Sequence, residues 1–219
     1  MRVYHLLSEK YALDNLKRRR LKVSRLEDMN DPFELLGVAL KKKEHRDALR
    51  GFKADMDRSI GALCFSRSWS HPLIWSHYAD KHRGICLGFD VHQDKAIPIS
   101  YKTERLEFDI ERQLSKDTRD EKLGLKLLTT KFEGWKYEDE VRLIVSIENE
   151  TTPEAGMHFF NFGPQLKLRE VIVGARSTLT KEAVRQALLP EERSARLVKA
   201  RLAFQTFTVI KQRNAKLWK

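Results

Sequence analysis

Residues 63–89, LCFSRSWSHPLIWSHYADKHRGICLGF, place an aromatic, histidine-bearing segment between two apolar runs. At helical spacing Trp75, Tyr78, Ala79 and His82 share one face, because residues three or four apart are neighbours on a helix. A large aromatic, a phenol and an imidazole around a small residue can wall a pocket, stacking on a planar ligand while their polar tips orient it. A half-buried helix with satisfied polar tips accounts for the same face. A second group lies at residues 135–142, WKYEDEVR, where strand alternation puts Glu138, Glu140 and Arg142 on one side. Two neighbouring carboxylates raise each other's proton affinity and an arginine lowers it, so the trio is tunable for electrostatic work. A solvated strand edge with ordinary ion pairing is the plain alternative.

Other chemistries find less support. His71, His77 and His82 invite a metal, but a five-residue step turns the second imidazole of the 77/82 pair about 140° around a helix. Helical zinc ligands come three or four apart, so no metal site is expected. A metal-dependent nuclease would have to draw on Asp31, Glu138 and Glu140. No G-x-S-x-G elbow surrounds Ser66 or Ser76, and no Rossmann or P-loop glycine pattern occurs. Cys64 and Cys86 sit inside apolar runs, as buried reduced thiols do.

The elements that must position these residues can be read in order. The spacing predicts a strand ending at His5, a helix over 9–19 capped by Ser8, and a strand over 21–24. Asn30-Asp31-Pro32-Phe33-Glu34 is turn chemistry. A charged surface helix over 41–58 follows. The central stretch reads as strand 61–66, a helix opened by Pro72 and stopped by Gly84, and strand 85–89. Short strands are expected within 97–110, a helix over 117–132 and a strand over 138–145. The remainder supplies strands at 157–162 and 170–173, a helix over 180–189 capped by Thr180, and strands at 198–204 and 207–211. Strands outnumber helices without regular alternation, which favours an α+β fold with mixed, mostly antiparallel sheets and flanking helices.

The 219 residues suit one domain, 1–219, and neither a linker nor a repeat is visible. No apolar run approaches the roughly 20 residues of a membrane span, and the opening residues lack a signal-peptide core. A cytoplasmic protein without membrane association is expected. The formal charge of +11 attracts polyanions, so nucleic acid is the expected partner, facing residues 17–20 (KRRR), 41–43 (KKK) and the tail from 211.

Three ordered motifs carry a family resemblance. Tyr4-His5 through the Asn30-Asp31-Pro32-Phe33-Glu34 turn, Trp75-x-x-Tyr78-Ala79-x-x-His82-x-Gly84, and Trp135-x-x-Glu138-x-Glu140-x-Arg142 resemble a large bacterial family known only as a domain of unknown function. The resemblance covers nearly the whole chain. A more distant resemblance is to ADP-ribosyltransferases of the His-Tyr-Glu type. It implies that His5 binds the ribose of NAD, Tyr78 stacks on nicotinamide and Glu140 is the catalytic carboxylate. Trp75, His82 and Arg142 are expected beside them in cofactor binding, and the resemblance implies NAD lying as cosubstrate in a split between two sheets. Where such enzymes have a His-Gly or His-x-Thr context, this chain has Leu6-Leu7. The implied activity is ADP-ribosyl transfer to nucleic acid or a nucleic-acid-associated target, and the rival is a noncatalytic nucleic-acid-binding module.

Overall fold

A computed structural model describes residues 1–39, 42–107 and 121–218. The first part of the chain forms β1 (Arg2–Leu7), α1 (Glu9–Arg18), β2 (Arg20–Lys22), α2 (Lys43–Ser59), β3 (Ile60–Ser66), α3 (Pro72–Tyr78) and β4 (Ile85–Asp90). Short strands β5 (Ile97–Pro98) and β6 (Ser100–Lys102) precede α4 (Glu121–Leu128), β7 (Thr130–Phe132), β8 (Glu140–Ser146) and α5 (Ile147–Glu150). The chain closes with β9 (Thr152–Glu154), β10 (Met157–Asn161), β11 (Lys167–Val173), α6 (Lys181–Ala187), β12 (Arg196–Leu202) and β13 (Val209–Lys211). The fold is α+β. Eight strands make the main sheet in the order β13-β12-β11-β4-β1-β3-β8-β5, beside a three-stranded β2-β10-β9 sheet and the β6-β7 pair. Among the named strands of the described residues, β11/β12 and β6/β7 run parallel and the other pairs antiparallel.

Strand alternation distributes the core. Ile85, Leu87 and Phe89 of β4 and Val171 and Val173 of β11 face α1 (Ala12, Leu16) and α6 (Val184, Ala187). Their neighbours Cys86 and Ile172 turn to the opposite side, where α3 packs Ile74, Trp75 and Ala79 with Val198 and Ala200. A further cluster joins Leu49 of α2 to Leu127 and Leu128 of α4. Among the described residues no helix is long and apolar enough to cross a membrane.

Three local expectations change. The helix expected to reach His82 ends at Tyr78, because Asp80, Lys81 and His82 take positive φ of 43°, 52° and 69°. The helix expected over 117–132 ends at Leu128, since Thr130–Phe132 pairs with Ser100–Lys102 as β7; residues 117–120 lie outside the described residues, as do 108–110 of the expected strand region. Glu138 closes a 3-10 turn, Glu133–Glu138, and β8 begins only at Glu140.

The feature that shapes the site is a gap in the main sheet. β1 pairs with β4 from Arg2↔Asp90 to Leu7↔Ile85, and β3 pairs with β8 from Ile60↔Ser146 to Ser66↔Glu140. Between them β1 and β3 meet at one pair, Tyr4↔Ser66. Past that pair the ladder opens, and Ser24 takes the freed edge of β3 by exchanging backbone bonds with Ala62 at 2.9 and 3.0 Å.

Candidate functional site

The gap is a cavity of about 210 Å3 lined by Tyr4, His5 and Leu6 from β1, Cys64, Phe65 and Ser66 from β3, the segment at Ser24 and Asp28–Asn30, Tyr78 from α3, and Lys131, Glu138, Glu140 and Arg142. His5 sits where the β1/β3 ladder fails. Its Nδ1 lies 2.8 Å from the Cys64 carbonyl oxygen, which can only accept, so the proton is on Nδ1 and Nε2 is left as an acceptor. Burial pushes the imidazole below its ordinary range, opposed by the bond to Cys64, and keeps it neutral near pH 7. Its ring also meets Phe65 edge-on at 5.6 Å.

At the other end the three motifs are tied together by one buried polar network. The Tyr78 hydroxyl accepts from Asn30 Nδ2 at 2.5 Å and donates to Glu138 Oε1. Lys131 Nζ donates to Glu138 Oε2 at 2.5 Å and to Glu140 Oε2 at 2.9 Å. Arg142 donates through Nε to Glu140 Oε1 at 2.6 Å and through Nη1 and Nη2 to Glu34 at 2.5 and 3.1 Å, with Nη1 also reaching the Leu128 carbonyl at 2.8 Å. The Glu140 backbone N–H donates to the Tyr101 hydroxyl at 2.7 Å. All five charged members are buried, Arg142 to 1% exposure. The solvated-edge alternative for this strand is thereby corrected: β8 is an inner strand, flanked by β3 and β5.

Charges buried at this depth must be paired, and each carboxylate here accepts from at least one cation. Burial alone would raise the Glu140 carboxyl, but Arg142 and Lys131 override it and hold it at about 2. Glu138 moves up, because burial outweighs the opposing pull of Lys131 and Tyr78. Burial and the adjacent Glu138 push the Tyr78 phenol well above its ordinary range, so it stays protonated as a donor. Burial would lower Lys131, yet Glu140 and Glu138 raise it. Three carboxylates against two cations leave this end of the cavity with one net negative charge.

His5, Tyr78, Glu140 and Arg142 therefore come together around one cavity. Trp75 and His82, expected beside the cofactor, do not line it. Trp75 is wholly buried, its indole N–H donating to the Trp69 carbonyl at 2.6 Å. His82 stacks on Trp75 at 6.3 Å, with Nε2 3.2 Å from Ser76 Oγ. The motif glycine explains this packing: a Cβ on Gly84 would stand 2.1 Å from the Leu7 carbonyl oxygen, so only glycine lets the loop reach the end of β1. Asp31 is also absent from the cavity wall; its Oδ1 accepts from the Phe33 N–H at 2.9 Å and shapes the turn. Among the described residues no group of three or more His, Cys, Asp or Glu is placed to hold a metal ion.

Sequence reasoning missed Lys131, Tyr101 and the ligating role of Asn30 and Glu34. Asn30 and Glu34 were visible as a turn, but nothing local distinguishes Lys131 in a three-residue strand. The basic run at 17–20 is largely spoken for: Arg18 pairs with Asp14 and Glu154, Arg19 with Glu192, and Arg20 with Glu154 while lying over the Phe159 ring. Lys43 pairs with Asp47, and residue 41 lies outside the described residues.

Residues 74–143 match a family model described as a protein of unknown function (DUF2971), so the resemblance to an uncharacterised family holds. The matched segment runs from α3 into β8 and contains Tyr78, Lys131, Glu138, Glu140 and Arg142. No curated protein and no solved structure matches the chain.

Proposed function

We propose that this protein, similar over residues 74–143 to an uncharacterised family, is an NAD-dependent ADP-ribosyltransferase that works in the cavity between β1 and β3. The observation that carries the reading is the convergence of His5, Tyr78 and Glu140 on one cavity at the place where the main sheet comes apart. About 210 Å3 accommodates a ring and a sugar, so the nicotinamide riboside half of NAD occupies it and the adenylate half lies outside.

The chemistry fits the residues. Cleaving the bond from nicotinamide to ribose develops positive charge on the sugar, and fixed negative charge nearby favours that state. The net negative charge of the Glu34, Glu138, Glu140, Lys131 and Arg142 cluster supplies it, and Lys131 and Arg142 keep Glu140 ionised and fixed in place. Neutral His5 accepts a hydrogen bond from a ribose hydroxyl at Nε2. The Tyr78 ring, with its hydroxyl anchored by Asn30 and Glu138, gives nicotinamide a face to stack on.

Calorimetric titration with NAD, run beside an assay of nicotinamide release, tests the reading. Heat of binding together with release is expected. Absence of both at millimolar NAD overturns it and leaves a noncatalytic domain whose buried carboxylates hold the core.

A further inference from the structure

Among the described residues the most exposed aromatic side chains lie outside the cavity wall, at the tip of the β12–β13 hairpin. Phe204 and Phe207 are 93% and 97% exposed, and Leu202 beside them is 54% exposed. The turn is ordered by a bond from the Ala203 N–H to the Thr208 carbonyl at 3.0 Å and by a 2.6 Å contact between the Thr206 and Thr208 hydroxyls. Arg201 lies over the Phe204 ring at 4.8 Å and steadies it.

The charge around this hairpin is one-sided. No Asp or Glu follows Glu192, while eight Lys or Arg do. Arg196 reaches Glu170 at 3.4 Å, but Arg201, Lys211, Arg213 and Lys216 have no carboxylate partner among the described residues. The contrast with residues 18–20, all of them ion-paired, is direct.

From this geometry we infer that the β12–β13 hairpin is an arm that binds single-stranded nucleic acid, Phe204 and Phe207 stacking on bases and Lys211, Arg213 and Arg201 meeting the phosphates. Every base offers a π-face, and aromatic rings set in a basic surface are the combination that holds a single strand without sequence preference. A lipid surface would fit less well, because the apex between the two rings is Gln205-Thr206, and insertion would bury an amide and a hydroxyl. The hairpin is also joined to the cavity wall. The Val209 N–H donates to the Ser70 carbonyl at 2.8 Å, and Ser66, four residues earlier, lines the cavity. Four residues span at most about 14 Å. The base of the arm at Val209 is thereby tied to a segment of the cavity wall, and a strand held on the arm is the acceptor if the transferase reading holds; the binding itself needs no NAD.

Fluorescence anisotropy with a labelled 12-nucleotide oligothymidylate and oligouridylate, at about 50 mM salt and upward, tests the arm. The wild type is expected to bind, and the double variant Phe204→Ala, Phe207→Ala to bind at least about 10-fold more weakly. Its melting temperature should match the wild type, since neither ring is buried. Lys211→Gln with Arg213→Gln should flatten the slope of log affinity against log salt by about 1.4. No oligonucleotide binding, binding that the double phenylalanine variant leaves unchanged, or binding only to vesicles of anionic phospholipid would each overturn the inference. Oligonucleotide binding without NAD cleavage would overturn the transferase reading and leave the arm standing.

Discussion

Glu34 and Arg142 are 108 residues apart in the chain and face each other as a buried fork, with Nη1 and Nη2 donating at 2.5 and 3.1 Å. The pair joins the Asn30–Glu34 turn to an inner strand of the main sheet, with Arg142 itself part of the cavity wall. Removing one partner strands the other charge away from water. Glu34→Gln is expected to cost about 3–5 kcal/mol of stability, read from urea unfolding at pH 7. A loss under about 1 kcal/mol would mean that Glu140 alone satisfies Arg142.

The Tyr78 hydroxyl and the Tyr78 ring have separate assignments, and two variants divide them. Tyr78→Phe leaves Glu138 and Asn30 without a shared partner and should cost about 1–3 kcal/mol in thermal unfolding, with NAD affinity kept. Tyr78→Ala removes the stacking face, and NAD affinity should fall roughly tenfold. Equal affinity losses in both would show that the hydroxyl, and not the ring, meets the ligand.

Acid stability follows from the same network. Glu140 is held at about 2 in the folded protein against about 4.3 for a free glutamate, so its contribution is present above about pH 5 and is lost as pH falls towards 2. His5, pushed down by burial, adds to the loss below about pH 6.5, because the fold resists its protonation. Glu138, raised by burial, works in the opposite sense and softens the acid limb. Urea midpoints measured from pH 7 to pH 3 should fall steadily in the wild type, and the fall below pH 5 should be shallower in Glu140→Gln.

That variant also tests the chemistry. Glu140→Gln should lower nicotinamide release by about 100-fold or more, the scale of losing one electrostatic stabiliser, when assayed at a temperature where the variant is folded. A folded variant that releases nicotinamide at the wild-type rate would move the catalytic role away from Glu140.

Gly84→Ala probes the loop that closes α3. Its Cβ would meet backbone, the Leu7 carbonyl oxygen and the Ala79 main chain, which cannot swing aside. A loss of about 1–3 kcal/mol or more is expected from thermal unfolding, without direct effect on the cavity residues. An unchanged melting temperature would show that the loop relaxes.

Much of the frame was legible because it depends on local signals. The apolar runs of β3 and β4, the Pro72 start of α3 and the Thr180 cap of α6, whose hydroxyl accepts from the Ala183 N–H, all follow from the sequence within a few residues. What could not be read depends on long-range pairing. Alternation does put Glu140 and Arg142 on one face, but whether that face meets water is decided by Glu34 of the turn and Lys131 of β7 packing onto it. Lys131 looks like any surface lysine until the 3-10 turn folds Glu138 back onto it. His82 fits a helical face only if the helix continues, and three successive left-handed residues end it first. His5 was singled out by resemblance; the gap in the β1/β3 ladder that gives its ring something to do has no signature in the sequence.

That gap has a mechanical consequence. A sheet knitted along the full length of its strands resists shear, whereas one tacked at Tyr4↔Ser66 yields there first. The two halves, β13 through β1 on one side and β3, β8 and β5 on the other, are two plates on a seam. Slow opening is expected to concentrate at that seam, which the His5 ring and the buried ion network line from opposite ends. The amides of β1 that face the seam should exchange with solvent far sooner than those knitted between β4 and β11, and a molecule filling the space would slow them.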